Sequence, residues 1–298
     1  MCDQYTEADN QAVYARELTR RRFSLVAGGA AVGSAFAGCA PGETLASERG
    51  GLVSESDVTI ATPDGEADAF FAHPDGRATA AVLIWPDILG LRPAFKMMAK
   101  RLAGDGYAAL VVNPYYRQAQ APLVEVGDSF SDPDVRAKII PYARALNQDT
   151  NRTDARAFID WLDEQPAVDT SRGVGTMGYC MGGPMTFVTA HERADRVRAG
   201  GSYHGGGLVT GAPTSPHRLV GAMRADFLVA IAENDHEKAP QVEGVLRETF
   251  AKTDNTAEIE VYAGTKHGWC PPDSRVYDEA QADKAWARTL ALFETALA

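Results

Sequence analysis

Cysteine is scarce in this chain: four in 298 residues, at positions 2, 39, 180 and 270. Their wide, unrelated spacings make neither a disulfide framework nor a zinc site, and no metal or other cofactor is expected. Long hydrophobic runs are lacking too. The stretch Ser24–Phe36 is too short and too rich in glycine and alanine to span a bilayer. Positive charge is in deficit: 29 Lys and Arg against 40 Asp and Glu leave a formal net charge of -11. Residues 1–38 carry four basic and four acidic groups, so the whole deficit lies in the rest of the chain. An acidic body disfavours nucleic acid as a partner. There is no internal repeat and no low-complexity tract beyond one short Gly-rich stretch. What is left is an ordinary globular composition.

What is present begins with an address. Thr19-Arg20-Arg21-Arg22-Phe23 precedes the mildly apolar Ser24–Phe36 and the small residues Ala37-Gly38. A basic cluster, a short apolar segment and a small-residue site read as an export signal peptide over residues 1–38. The paired arginines with Phe23 resemble a twin-arginine export signal. Phe36-Ala37-Gly38-Cys39 resembles a lipobox, with Phe36 where leucine is usual, which makes Cys39 the expected lipidation site. The expected location is the periplasm or cell envelope, with a lipid anchor in the membrane. Ala40 does not look like the aspartate that retains such proteins at the inner membrane. Residues 39–56 are polar and Gly-rich and read as a flexible tether, which places the folded domain at 57–298.

Within that domain apolar strand-like runs alternate with helical patterns. Val58–Ile60 and Ala67–Ala72 flank a turn at Asp64-Gly65 and read as a hairpin. Ala80–Trp85 and Ala108–Val112 are continuous apolar runs, as expected of strands buried on both faces. Phe95, Met98, Ala99 and Leu102 recur at helical spacing, as do Ala155, Phe158, Ile159 and Leu162, then Val242, Leu246, Thr249 and Phe250, and finally Ala282, Trp286, Leu290, Phe293 and Leu297. Further strands are expected at Gly173–Met177, Arg198–Tyr203, Phe227–Ala232 and Glu258–Tyr262. The pattern predicts an α/β fold with a mainly parallel central sheet and helices on both faces. Ligands of such sheets bind at the carboxyl ends of the strands.

Gly178-Tyr179-Cys180-Met181-Gly182 stands at one such strand end, before the helix-competent run from Pro184. A nucleophile on a sharp strand-to-helix turn, flanked by glycines, is the elbow of the α/β-hydrolase fold. The glycines are needed because the nucleophile's backbone is strained and side chains at those positions would collide. The chain order nucleophile, acid, histidine is met by Cys180, by Asp235 after the Phe227–Ala232 strand, and by His267 after the Glu258–Tyr262 strand. Glu233 is a rival acid. A free thiol titrates near ~8.5, so it needs a neighbouring base or cation to become a thiolate. His267 would supply that base, and Asp235 would fix its tautomer. An oxyanion hole requires two backbone N–H groups. Met181 follows the nucleophile, and Ile88 follows the Ala80–Trp85 strand in a loop where Pro86 has no N–H to give. His73, His191, His204 and His217 read as structural or surface residues.

From these segments the chain resembles the dienelactone hydrolases over roughly residues 57–297. The likeness rests on Gly178–Gly183, Pro86–Leu91, Gly104–Ala108, Tyr203-His204-Gly205 and His267-Gly268-Trp269, with Tyr277 and Ala285–Arg288 downstream. The resemblance implies a Cys-His-Asp triad of Cys180, His267 and Asp235, and an oxyanion hole at Met181 and Ile88. It also implies an activating carboxylate at Asp87, where the best-studied members carry a glutamate that pairs with the cysteine. Asp87 keeps the charge on a stem one methylene shorter. Those members place a substrate-binding arginine where this chain has Pro271, which speaks against dienelactone itself as the substrate. Arg92 and Arg117 are the other cations available to an anionic substrate, although each reads as a solvated surface residue.

The expectation is therefore a monomeric hydrolase of a small-molecule ester or lactone, working through an acyl-enzyme on Cys180. A thioesterase or peptidase on the same triad is an alternative. So is an envelope binding protein with an inactive triad, because Cys180 and Cys270 could meet in a disulfide in an oxidising compartment.

Overall fold

The computed structural model of the protein describes residues 52–298. Up to residue 51, the segments expected to be a signal peptide and a tether, Cys39 included, lie outside the described residues. The first strand, β1 (Val53–Thr62), pairs antiparallel with β2 (Gly65–Pro74) over their whole length, Val53 opposite Pro74 and Thr62 opposite Gly65. The strand thus starts four residues ahead of the expected boundary at 57. Ser54, Glu55 and Ser56 are polar because β1 is an edge strand with an open face, and that polarity made them read as tether.

The remaining elements follow in alternation. They are β3 (Ala81–Trp85), α1 (Pro93–Gly104), β4 (Ala108–Val112), α2 (Pro133–Ala145), α3 (Gln148–Asp163), β5 (Val174–Tyr179), α4 (Gly182–Glu192), β6 (Val197–Tyr203), β7 (Asp226–Ala232), α5 (Glu233–Lys238), α6 (Gln241–Phe250), β8 (Ala257–Tyr262) and α7 (Glu279–Ala296). The eight strands form one sheet in the order β1-β2-β4-β3-β5-β6-β7-β8, parallel from β4 to β8. Every residue of β3, β4 and β5 is buried, which explains the unbroken apolar composition of β3 and β4.

Side chains alternate between two apolar layers. Leu83, Trp85, Leu110 and Val229 pack with Phe158 of α3, Phe187 of α4 and Phe250 of α6. Val82, Ile84, Val111 and Tyr179 pack on the other face with Phe95 of α1 and Trp286 and Phe293 of α7. A third, smaller cluster joins Ile88, Tyr115, Leu123, Val124 and Ile139. It seats α2 over one end of the sheet. The segment between β4 and α3 carried no readable periodicity, and this helix and its loop were not anticipated.

Strand register sets up the functional end. Trp85 pairs with Gly178, Tyr179 with Tyr203, and Ala232 with Tyr262. The carboxyl ends of β3, β5, β6, β7 and β8 are therefore level, and the loops that follow them emerge side by side.

Candidate active site

Cys180 sits directly after β5 with φ of 50°, in the left-handed region that non-glycine residues rarely adopt. Its amide N–H donates to the Tyr203 carbonyl at 3.0 Å, and its carbonyl accepts from Gly183 at 3.1 Å, so the turn is held from both sides. The steric reason for the flanking glycines is explicit. A Cβ on Gly178 would lie 2.1 Å from the Gly182 carbonyl oxygen, and one on Gly182 would lie 2.4 Å from that of Trp85.

His267 arrives from the loop after β8. Its Nδ1 is 2.6 Å from Asp235 Oδ2, and its backbone N–H donates to Asn234 Oδ1 at 2.8 Å. Asp235 lies in α5, which begins where β7 ends. Level β7 and β8 termini bring these two loops together, and it is Asp235 that meets the ring, not Glu233. The same imidazole is hydrogen-bonded to Cys180. Three residues from three separate strand ends thus form one continuous chain of contacts.

Burial alone would push the His267 imidazole down. The negative charges of Cys180 and Asp235, and the hydrogen bonds to both, outweigh it and raise the pKa from 6.5 to about 10. An imidazolium beside a thiolate is the arrangement this favours. The raised value means that the proton on His267 favours the folded state fully below pH 6.5, and that this contribution is lost as pH climbs from 6.5 to about 10. An NMR titration of the His267 ring should show a midpoint far above 6.5, near 10, and Asp235→Asn should lower it. A wild-type midpoint at the ordinary imidazole value would refute the ion pair.

The two expected oxyanion donors flank Cys180. Asp87 uses its side chain and carbonyl to take the N–H groups of Leu89 and Gly90, both at 2.9 Å, so the turn passes over the N–H of Ile88. Ile88, Cys180 and His267 line a common cleft of about 80 Å³. Met181 stands at the N-terminal cap of α4, where amide N–H groups are left without intrahelical partners. Tyr115 ties the two together. Its hydroxyl donates to the Ile88 carbonyl at 2.7 Å and lies 3.2 Å from the Met181 sulfur. Sequence reasoning missed Tyr115, although its place just after β4, at the carboxyl end of the sheet, was a usable signal.

Asp87 is not turned to the cysteine alone. Both its oxygens accept from Arg92, at 2.7 and 2.9 Å, and Arg92 also grips Asp273 at 2.7 and 3.0 Å. Burial pushes the Asp87 carboxyl up, against the pull of Arg92. Arg92 is 4% exposed, which corrects its reading as a solvated surface residue. An arginine beside two carboxylates distant in sequence can be buried because its charge is matched. Arg117 is likewise no solvated residue: it is ion-paired to Asp64 and Asp154.

His204 follows β6 and is buried, with φ of 41° and its ring centroid 5.1 Å from that of His267. Neither ring nitrogen has a hydrogen-bond partner among the described residues. Burial, reinforced by the charge on His267, holds it well below the usual imidazole range, so it stays neutral. No disulfide joins Cys180 to Cys270. Cys270 lines a separate, larger cavity of about 260 Å³ with Tyr179, Tyr277 and Trp286, and that cavity contains none of Cys180, His267 and Asp235. Among the described residues no cluster of three or more His, Cys, Asp or Glu could hold a metal ion.

A mostly parallel sheet with a strained residue on a Gly-flanked strand-to-helix turn, next to a His–Asp pair, defines an α/β-hydrolase. The chain belongs to the dienelactone hydrolase family, whose model matches residues 67–297. Carboxymethylenebutenolidase 1 of Cupriavidus pinatubonensis is 25% identical over 81% of this chain and 97% of its own length. A probable 2-oxo-3-(5-oxofuran-2-ylidene)propanoate lactonase of Bradyrhizobium is 26% identical over 70% of this chain and 81% of its own. Among solved structures, a Klebsiella pneumoniae protein bearing the name "putative dienelactone hydrolase" superposes with a TM-score of 0.70 at 20% identity, covering 82% of this chain and 99% of that one. The protein is thus a dienelactone hydrolase-like hydrolase, with the family's α/β-hydrolase fold.

Proposed function

We propose that this hydrolase cleaves small carboxylic esters or lactones through a Cys180-His267-Asp235 triad. The thiolate of Cys180 attacks the carbonyl carbon, and the oxyanion accepts hydrogen bonds from the N–H groups of Met181 and Ile88. The carbon–oxygen bond then breaks, the leaving oxygen takes the proton of the His267 imidazolium, and a thioester remains on Cys180. Water, deprotonated by His267, attacks the thioester and releases the acid and the thiolate. Asp235 holds the ring in the required tautomer throughout. The observation that carries this reading is the single imidazole hydrogen-bonded to both Cys180 and Asp235. The name of the Bradyrhizobium relative, a lactonase, agrees in reaction type. The purified protein should hydrolyse p-nitrophenyl acetate, and acid quenching during turnover should leave an acetyl group on the Cys180 peptide by mass spectrometry. Hydrolysis with the label on another residue would overturn the assignment.

We also read the basic leader and the Phe36-Ala37-Gly38-Cys39 site as export followed by lipid anchoring on Cys39, which would put this hydrolase in the cell envelope. Cys39→Ala should move the protein from the membrane fraction to the soluble fraction. Unchanged fractionation would count against the anchor.

A further inference from the structure

Five charged side chains line the Cys180 cleft: Asp87, Arg92, Asp128, Asp273 and Arg275. Both cations are ion-paired within the protein. A guanidinium has five N–H donors, and Arg92 is engaged in five hydrogen bonds. Nε donates to Asp273, Nη1 to Asp87 and the Gly90 carbonyl, and Nη2 to Asp87 and Asp273. Arg275 is held two-pronged by Asp132, at 2.9 Å on each arm, and also donates to Ser131 at 2.8 Å. With Cys180 and His267 counted as a neutral ion pair, three carboxylates face two matched guanidiniums, so the lining is net negative. Asp273 is the outermost of the carboxylates on Arg92, its side chain 37% exposed at the mouth of the cleft.

We propose that this cleft selects acyl groups without negative charge, and that Asp273 enforces the choice by occupying the face of Arg92 that would otherwise grip a substrate carboxylate. The proposal rests on the reading of the cleft as an ester or lactone site. Its physical content is discrimination by a repulsive element. A carboxylate on the acyl chain meets like charge at the mouth and finds every N–H of Arg92 already given to a protein acceptor. An uncharged acyl group of the same size meets neither cost. Arg92 would remain anchored by Asp87 if Asp273 were removed, leaving two N–H groups in the fork geometry that suits a carboxylate.

The test uses two p-nitrophenyl esters of matched length, the butyrate and the hydrogen succinate, which differ at the acyl terminus by methyl against carboxylate. The wild-type protein should prefer the butyrate in kcat/KM by roughly tenfold or more, and added salt should narrow that ratio by screening the mouth. Asp273→Ala should narrow it by about threefold or more in favour of the succinate, whatever happens to the absolute rates. Asp273→Asn, which still fills the site on Arg92, should shift it less. A wild-type protein that takes the succinate as readily as the butyrate overturns the proposal on its own, without touching the ester-hydrolase reading. So does an Asp273→Ala variant in which both rates fall in parallel. Absence of Cys180-dependent hydrolysis of either ester overturns the hydrolase reading itself, and the selectivity proposal with it.

Discussion

Cys180→Ala should lose ester hydrolysis by about 10⁴-fold or more while folding normally. The fold is expected to survive because the strain at this position comes from its backbone, with φ of 50°. Alanine has the same Cβ as cysteine, so the substitution adds no collision and removes one sulfur from a buried turn. In the proposed mechanism Cys180 and His267 act as a unit, so the expected chemical loss is large. Without the sulfur, His267 has no nucleophile to serve, and only the N–H groups of Met181 and Ile88 remain, which bind but do not form an acyl-enzyme. His267→Ala on top of Cys180→Ala should therefore cost little more. Kinetics of the two single variants and the double variant check this. Additive losses, or a Cys180→Ala rate near wild type, would remove the cysteine from the mechanism.

Gly182→Ala should be among the most damaging single methyl additions at the elbow, costing about 3 kcal/mol or more in unfolding free energy. Its Cβ would fall 2.4 Å from the Trp85 carbonyl oxygen and 2.8 Å from that of Pro86. Both are backbone atoms of the strand and loop that lead to Ile88, so nothing soft can give way. Relief would require β5 and β3 to part at the point where Gly178 pairs with Trp85. Activity should fall with stability, because the same shift displaces the N–H groups of Met181 and Ile88, the proposed oxyanion donors. Gly244→Ala is the opposite case. Gly244 lies exposed within α6, where an added Cβ meets nothing within 4 Å, and alanine should stabilise the helix by about 0.5–1 kcal/mol. Chemical denaturation of the two variants reads both signs. An unchanged midpoint for Gly182→Ala would mean that the elbow is not sterically locked.

The central sheet and the elbow were legible because they are written locally. Ala81–Trp85 and Ala108–Val112 are apolar at every position, and a parallel strand buried on both faces leaves no other composition open to them. Asp235 and His267 could be found because each directly follows a strand in the order that the fold requires. Arg92, Tyr115 and Asp273 were not legible in the same way. A lone arginine in a loop reads as solvated until its carboxylates are known, and Asp273 is 181 positions away from it. Their meeting depends on which strand ends the sheet order makes neighbours. The helix α2 was missed because it buries little of its own surface: Ile139 is its one buried side chain, too few to mark a helical period. His204, read from the sequence as a structural or surface residue, is buried. Its position against His267 follows from β6 lying between β5 and β7, which no local pattern announces.

The span of the Arg92 bridge also bears on how the protein is made. The loop after β3 is synthesised early and Asp273 comes almost last, so the cleft closes only when β8 and its following loop have docked. Contacts of such sequence separation form late, after the entropy of closing a long loop has been met. A chain emerging from synthesis carries Cys180 well before it carries His267, and during that interval the thiol has no imidazole partner from this site. The order of the polypeptide itself thus delays assembly of the ion pair until the wall of the cleft that contains it is complete.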